Sequence, residues 1–148
     1  MKYFFTASLI LLPTLAYSQL ALPAARCYPA NWTYYYYAYK AKPQISSETL
    51  VVQANQVLSG LRSNINGFIT ARFIVNCYGE RGEYEILEMD NKYQKTKFEQ
   101  AITNKILGYV KSVNIWQKGI SKSDSQAQDY SAFITFKFEN GKITEILP

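Results

Sequence analysis

Residues Gly67 to Asp90 read GFITARFIVNCYGERGEYEILEMD, and this stretch decides the fold. Ile69, Ala71, Phe73, Val75 and Cys77 alternate with Phe68, Thr70, Arg72, Ile74 and Asn76, so a strand here presents one wholly apolar face. Cys77 is expected on that core side. Gly79-Glu80-Arg81-Gly82 supplies a turn, and GEYEILEMD then forms the partner strand of an antiparallel hairpin. The apolar alternation slips between Ile86 and Leu87, which predicts a β-bulge at that point.

Helices and further strands flank this hairpin. Downstream, Thr96 and Glu99 have the spacing of a capping box, and Phe98, Ile102, Ile106, Tyr109 and Val113 recur at helical steps. Trp116 and Gln117 close that segment. GISKSDSQAQDY, Gly119 to Tyr130, has little to bury and reads as a long exposed loop. In the closing SAFITFKFENGKITEILP, Ala132, Ile134, Phe136 and Phe138 share a face, and Asn140-Gly141 is the dipeptide a two-residue hairpin turn prefers. Upstream of the hairpin, Leu50, Ala54, Val57, Leu58 and Leu61 make one apolar helical face from Ser46 onward, and Gly60 and Asn64 to Gly67 stop it. The order helix, strand, strand, helix, strand, strand predicts an α+β domain over residues 45–148, with a mostly antiparallel sheet and helices packed on one face.

Ahead of that domain the character changes. Residues 19–44 hold three prolines and no acidic residue, and Asn31 to Lys40 reads NWTYYYYAYK. This is expected to be an extended, tyrosine-rich arm. The first eighteen residues carry a charge at Lys2, an apolar run from Tyr3 to Ala16, and Ala16-Tyr17-Ser18 before Gln19, the layout of a secretory signal cut after Ser18. The apolar run is shorter than the roughly 20 residues a spanning helix needs, and Pro13 interrupts it. The expectation is a periplasmic or secreted protein with no transmembrane segment after cleavage.

The chain has 148 residues, 48% hydrophobic and 16% aromatic, enough for one domain with a real core. Its formal net charge of +5 comes from scattered lysines and arginines without the basic stripe that phosphate binding favours, so no nucleic-acid partner is expected. Cys27 and Cys77 are the two cysteines. In an oxidising compartment their pairing as a disulfide is the economical reading. The rival, a lipid-modified Cys27, requires processing directly after Arg26.

Chemistry is sparse. There is no histidine, which removes the commonest general base and most zinc or copper sites. Glu80, Glu83, Glu85, Glu88 and Asp90 form the main acidic concentration. Paired carboxylates can hydrolyse glycosides or bind calcium when they converge, but along a strand they read as a solvated, charge-protected edge. No catalytic, cofactor-binding or metal-binding residue is singled out, no cofactor is implied, and the protein is not expected to be an enzyme. Asn31-Trp32-Thr33 is formally a glycosylation sequon.

From Gly67 to the C-terminus the residues resemble the C-terminal domain of the TonB family, in the form of small envelope proteins of the Bacteroidetes type that carry this domain alone. The resemblance rests on GFITARFIVNCYGERGEYEILEMD, on the helix leading to Trp116 and on FITFKFENGKITEILP. It implies a β-β-α-β module in the periplasm that binds an envelope protein, such as an outer-membrane receptor or transport component, by adding a strand to its sheet edge. The chain lacks the histidine and the proline-rich spacer of full-length TonB, so an adaptor role is implied rather than energy transduction.

The tyrosines leave three readings open. Tyr34, Tyr35, Tyr36, Tyr37 and Tyr39 can lay alternate rings onto the domain, which suits a structural subunit with no ligand of its own. They can form a partner-binding surface, since tyrosine offers large contact area at low rotamer cost. Or they can serve as stacking platforms for envelope glycans, with Lys40 and Lys42 adding charge, although the run lacks the separated aromatic and polar groups that a sugar site combines.

Overall fold

The computed structural model describes residues 26–28, 34–35, 41, 45–60, 64–122 and 124–147. In chain order its elements are β1 (Tyr34–Tyr35), α1 (Ser47–Val57), β2 (Gly67–Val75), β3 (Arg81–Asp90), α2 (Gln100–Ser112), β4 (Gly119–Ile120), β5 (Ala127–Gln128), β6 (Tyr130–Glu139) and β7 (Lys142–Leu147). The fold is α+β, as expected. β2 is the central strand, antiparallel to β3 on one side and to β6 on the other. β6 then pairs β7 antiparallel over its C-terminal half and β1 in parallel at its start. Among the described residues no helix is long and apolar enough to cross a membrane.

Alternation decides which face is covered. Ile69, Ala71, Phe73 and Val75 on β2 and Ala132, Ile134, Phe136 and Phe138 on β6 are buried in one cluster with Leu50 and Ala54 of α1 and Ile102, Ile106 and Val110 of α2. The Tyr109 ring meets Phe136 edge-on at 6.1 Å, and its hydroxyl donates to the Leu50 carbonyl at 3.3 Å, tying α2 to α1. Ser46 caps α1, its hydroxyl accepting from the Thr49 amide. Leu50, Ala54 and Leu58 face the core as expected, whereas Val57 is 38% exposed. Asn140 and Gly141 both take positive φ in the β6–β7 turn, the backbone such a hairpin demands.

Several local expectations are corrected. β2 ends at Val75, so Cys77 sits in the turn beyond it, half-buried, rather than on the strand's core face. The irregularity in the hairpin lies earlier than Ile86: Arg72 pairs with Glu85 but Ile74 with Gly82, so Glu83 and Tyr84 together oppose Phe73. Glu83 there has φ +52°. The slip in apolar pattern has a different cause, because Leu87 faces outward while Glu88 is buried. The Thr96–Glu99 capping box does not form. α2 starts at Gln100 with no side-chain cap from Glu99, and the Glu88 carboxylate accepts instead from the Phe98 amide at 3.1 Å and the Thr103 hydroxyl at 2.8 Å. A strand residue thus ties the segment ahead of α2, and Thr103 within it, to the sheet.

The sheet margins are mostly closed. Residues 94–96 fold back along the end of β3, with the Asp90 amide donating to Gln94 and the Thr96 amide to Glu88. On β7 the side-chain amide of Asn55 mimics a neighbouring strand, donating to the Ile143 carbonyl at 2.8 Å and accepting the Ile143 amide at 3.0 Å. Asn55→Ala would leave both backbone groups dependent on water. It should cost about 1–2 kcal/mol, read as a lower urea midpoint at unchanged m-value, and an unchanged midpoint would show that solvent replaces the pair fully.

Candidate functional site

Two features beside β1 draw chemistry together: a clasp that fixes the arm and a groove on the helix-free face. Cys27 and Cys77 form the disulfide. Behind it Asp129, buried, accepts the Cys27 and Tyr28 amides on Oδ2 at 2.8 and 3.1 Å and the Cys77 amide on Oδ1 at 2.8 Å. One carboxylate therefore holds the backbones of both half-cystines, and three donors satisfy a charge that would be costly to bury bare. The turn is shaped further by Asn76, whose Oδ1 accepts from the Tyr78 and Glu80 amides. Cys27, Cys77 and Asp129 bring ligand-type atoms within 4.8 Å of one another, but the sulfurs are bonded to each other and the carboxylate is engaged by amides.

The expected exposed loop from Gly119 to Tyr130 is corrected at this point. β4 and β5 close it into a small hairpin, and both Asp129 and Tyr130 at its end are buried. Burial pushes the Tyr130 phenol well above its usual range, and its hydroxyl donates to the Gln117 carbonyl. Gly119 is required there, because a Cβ would come within 2.7 Å of the Tyr130 ring.

With the clasp in place, Tyr34 stands opposite Tyr130 and Tyr35 opposite Ser131 as a parallel edge pair. Tyr35 is 46% exposed. Tyr36, Tyr37 and Tyr39, like Asn31 and the expected signal of residues 1–18, lie outside the described residues.

Tyr35 borders a groove of about 330 Å³ lined by Arg26, Arg72, Ile74, Glu83, Glu85 and Ser131 among others. Two ion pairs cross it, Arg26 to Glu83 in a two-pronged contact and Arg72 to Glu85 across the β2–β3 ladder. The hydrogen bond from Arg26 holds the Glu83 carboxyl below its usual range, and that carboxylate raises the Arg26 guanidinium in turn. The bulge is what aims Glu83 at the arm.

The remaining carboxylates of the expected solvated edge have separate tasks. Glu80 accepts from the Asn76 side chain at 2.8 Å, and Asp90 accepts the Lys92 and Gln94 amides in its turn. Glu88 is buried, which corrects its place on a wet edge. Burial pushes its carboxyl up, but hydrogen bonds from Lys97, Thr103 and the Phe98 amide together outweigh that and hold it below the usual range.

On the opposite side, a shallow cleft of about 610 Å³ runs between α1 and the end of α2, with Val57, Tyr109, Val113 and Ile115 in its wall. Arg81 closes that helix end, its guanidinium donating to the Val110, Lys111 and Val113 carbonyls.

Sequence reasoning singled out Tyr35 and the two cysteines but missed Asp129, Arg26, Arg72 and Glu83 as their neighbours. These positions are scattered over the chain, and only the clasp and the strand register bring them to one place. Comparison of the chain with protein-family models, with curated proteins and with solved structures found no match in any of the three.

Proposed function

We propose that the protein is an exported, non-enzymatic adaptor of the bacterial cell envelope that recruits a partner protein at the tyrosine-bearing margin of its sheet. The observation that carries this reading is the pinning of Tyr34–Tyr35 against β6 by the clasp, with Tyr35 exposed. A margin held rigid before binding avoids the ordering cost that a loose arm would add.

The other margins are less suited to a partner strand. Asn55 occupies β7 at Ile143, and residues 94–96 cover the end of β3. In this reading a partner strand adds beside β1 while tyrosine rings supply side-chain contact. The resemblance of residues 67–148 to TonB C-terminal modules favours an outer-membrane receptor or transport component as the partner, and the signal-like first eighteen residues favour the periplasm.

The test places a photo-crosslinking residue at Tyr36, directly after β1, in the native cell. Irradiation should attach one abundant envelope protein. Crosslinks confined to the chain itself would overturn the reading and leave the tyrosines a structural task.

A further inference from the structure

The objection to a sugar site in the tyrosine run is that it offers rings without polar partners. The fold removes that objection. Tyr35 borders the same groove as Arg26, Arg72, Glu83, Glu85 and Ser131, residues drawn from the arm, β2, β3 and β6. We propose that this groove is a saccharide subsite that takes a flat, β-1,4-linked pyranose chain. The inference goes beyond the recruiting role, which uses the backbone of β1, whereas the subsite uses the Tyr35 ring and the sheet face.

Charge narrows the ligand class first. Two guanidiniums and two carboxylates face the groove as ion pairs, so their formal charges cancel. A phosphate or sulfate would meet two carboxylates, and a cationic ligand two guanidiniums. A neutral ligand rich in hydroxyls suffers neither penalty, because carboxylates only accept hydrogen bonds and guanidiniums only donate them, while each hydroxyl does both. Neighbouring hydroxyls can therefore bridge the members of an Arg–Glu pair without breaking it.

Shape narrows it further. At about 330 Å³ the groove sits at the lower end of small-ligand sites, roughly 300–1,000 Å³. It is floored by the face of a sheet, with Ile74 and Ser131 paired across it beside the charged residues. A β-1,4-linked chain is a flat ribbon with an apolar C–H face for the Tyr35 ring and hydroxyls along its edges. An α-1,4-linked chain curls and cannot lie along such a floor. The site is also preorganised: the disulfide fixes Cys27 beside Arg26, and Glu83 is held in the left-handed region at a bulge, the kind of local strain that concentrates at binding sites.

The test is titration of the oxidised, isotope-labelled protein with cellotetraose, chitotetraose and maltotetraose, followed by amide NMR. At least one β-1,4-linked tetrasaccharide should shift resonances at Tyr35, Arg72, Ile74, Glu85 and Ser131, with maltotetraose at least about tenfold weaker. Tyr35→Ala should weaken binding by about tenfold, the scale of one aromatic contact, and Tyr35→Phe should retain it. Exposure of Tyr35 makes either variant compatible with folding, and the amide spectrum checks this directly. No groove shifts with either β-1,4-linked sugar at about 10 mM, well above a millimolar Kd, would overturn the subsite. So would equal binding of maltotetraose, or shifts that survive Tyr35→Ala unchanged. A photo-crosslinked protein partner at Tyr36 leaves this result standing, and its absence does not create it.

Discussion

Replacing both Cys27 and Cys77 by serine should lower the free energy of unfolding by about 4 kcal/mol, from the loop entropy released by a crosslink spanning a sequence separation of 50. Asp129→Ala in the oxidised chain should cost about 2–4 kcal/mol, because the Cys27, Tyr28 and Cys77 amides lose their acceptor. The two penalties should not add. Asp129 bonds the arm through Cys27 and Tyr28, and the disulfide bonds the same arm through Cys27, so once one link is cut the other holds a segment already loosened. The triple variant should therefore fall short of the sum by about 1–2 kcal/mol. Urea denaturation of the four proteins measures this cycle. Strict additivity would mean that Asp129 merely satisfies its neighbours and that the disulfide alone positions β1. Either single lesion should also speed amide exchange at whichever of Tyr130 and Ser131 turns its N–H towards β1, their register partners being Tyr34 and Tyr35, while the other amide, turned towards β2, stays protected.

The legible parts of the fold are those where a residue's fate depends on its neighbours in sequence. The even spacing of Ile69, Ala71, Phe73 and Val75 specified a half-covered strand, and Asn140-Gly141 a tight turn, because alternation and positive φ are local properties. α1 was readable from Leu50, Ala54 and Leu58 for the same reason. The capping of α2 was not. Thr96 and Glu99 satisfy the local pattern, but the Thr96 amide is committed to the Glu88 carbonyl on the edge of β3, so the segment runs as an added bridge instead of a helix start. Tertiary pairing outweighed a motif whose energy is small.

The candidate site was legible in its parts but not in its assembly. Two cysteines behind a signal-like leader pointed to the disulfide, and the run of tyrosines to recognition. Asp129 carries no such signal: it follows SKSDSQAQ and looks like one more solvated loop residue. Its burial follows from where β6 begins, since Tyr130 must reach the core beneath Gly119 and draws the preceding residue inward. The Arg26–Glu83 pair was equally hidden. It depends on a bulge at Glu83 and Tyr84, and no glycine marks the left-handed residue there. An acidic strand edge and a set of sheet-face ion pairs are the same string of residues until register assigns each one a side.

Glu88→Ala should cost about 3 kcal/mol, the second large effect. It would strand the buried Thr103 hydroxyl and the Phe98 amide, both of which the carboxylate accepts. The Lys97 ion pair adds little, since that lysine is 79% exposed, so Lys97→Ala should cost less than about 1 kcal/mol. Glu88→Gln keeps an acceptor oxygen but removes the charge and should fall between the two. Its pH dependence is the sharper test. The folded carboxyl is held below its usual range, whereas in the unfolded chain it returns to about 4.3. The unfolded state thus binds the proton first as pH falls, and the stability from Glu88 is full above about pH 4.3 and is lost as pH drops through the depressed folded value. Glu83 contributes to the same acid limb with the same sign, so the difference between wild type and Glu88→Gln isolates Glu88. That difference should be constant from about pH 5 to 7 and shrink below about pH 4. A difference independent of pH would mean that Glu88 holds the start of α2 by shape alone, with its charge contributing nothing.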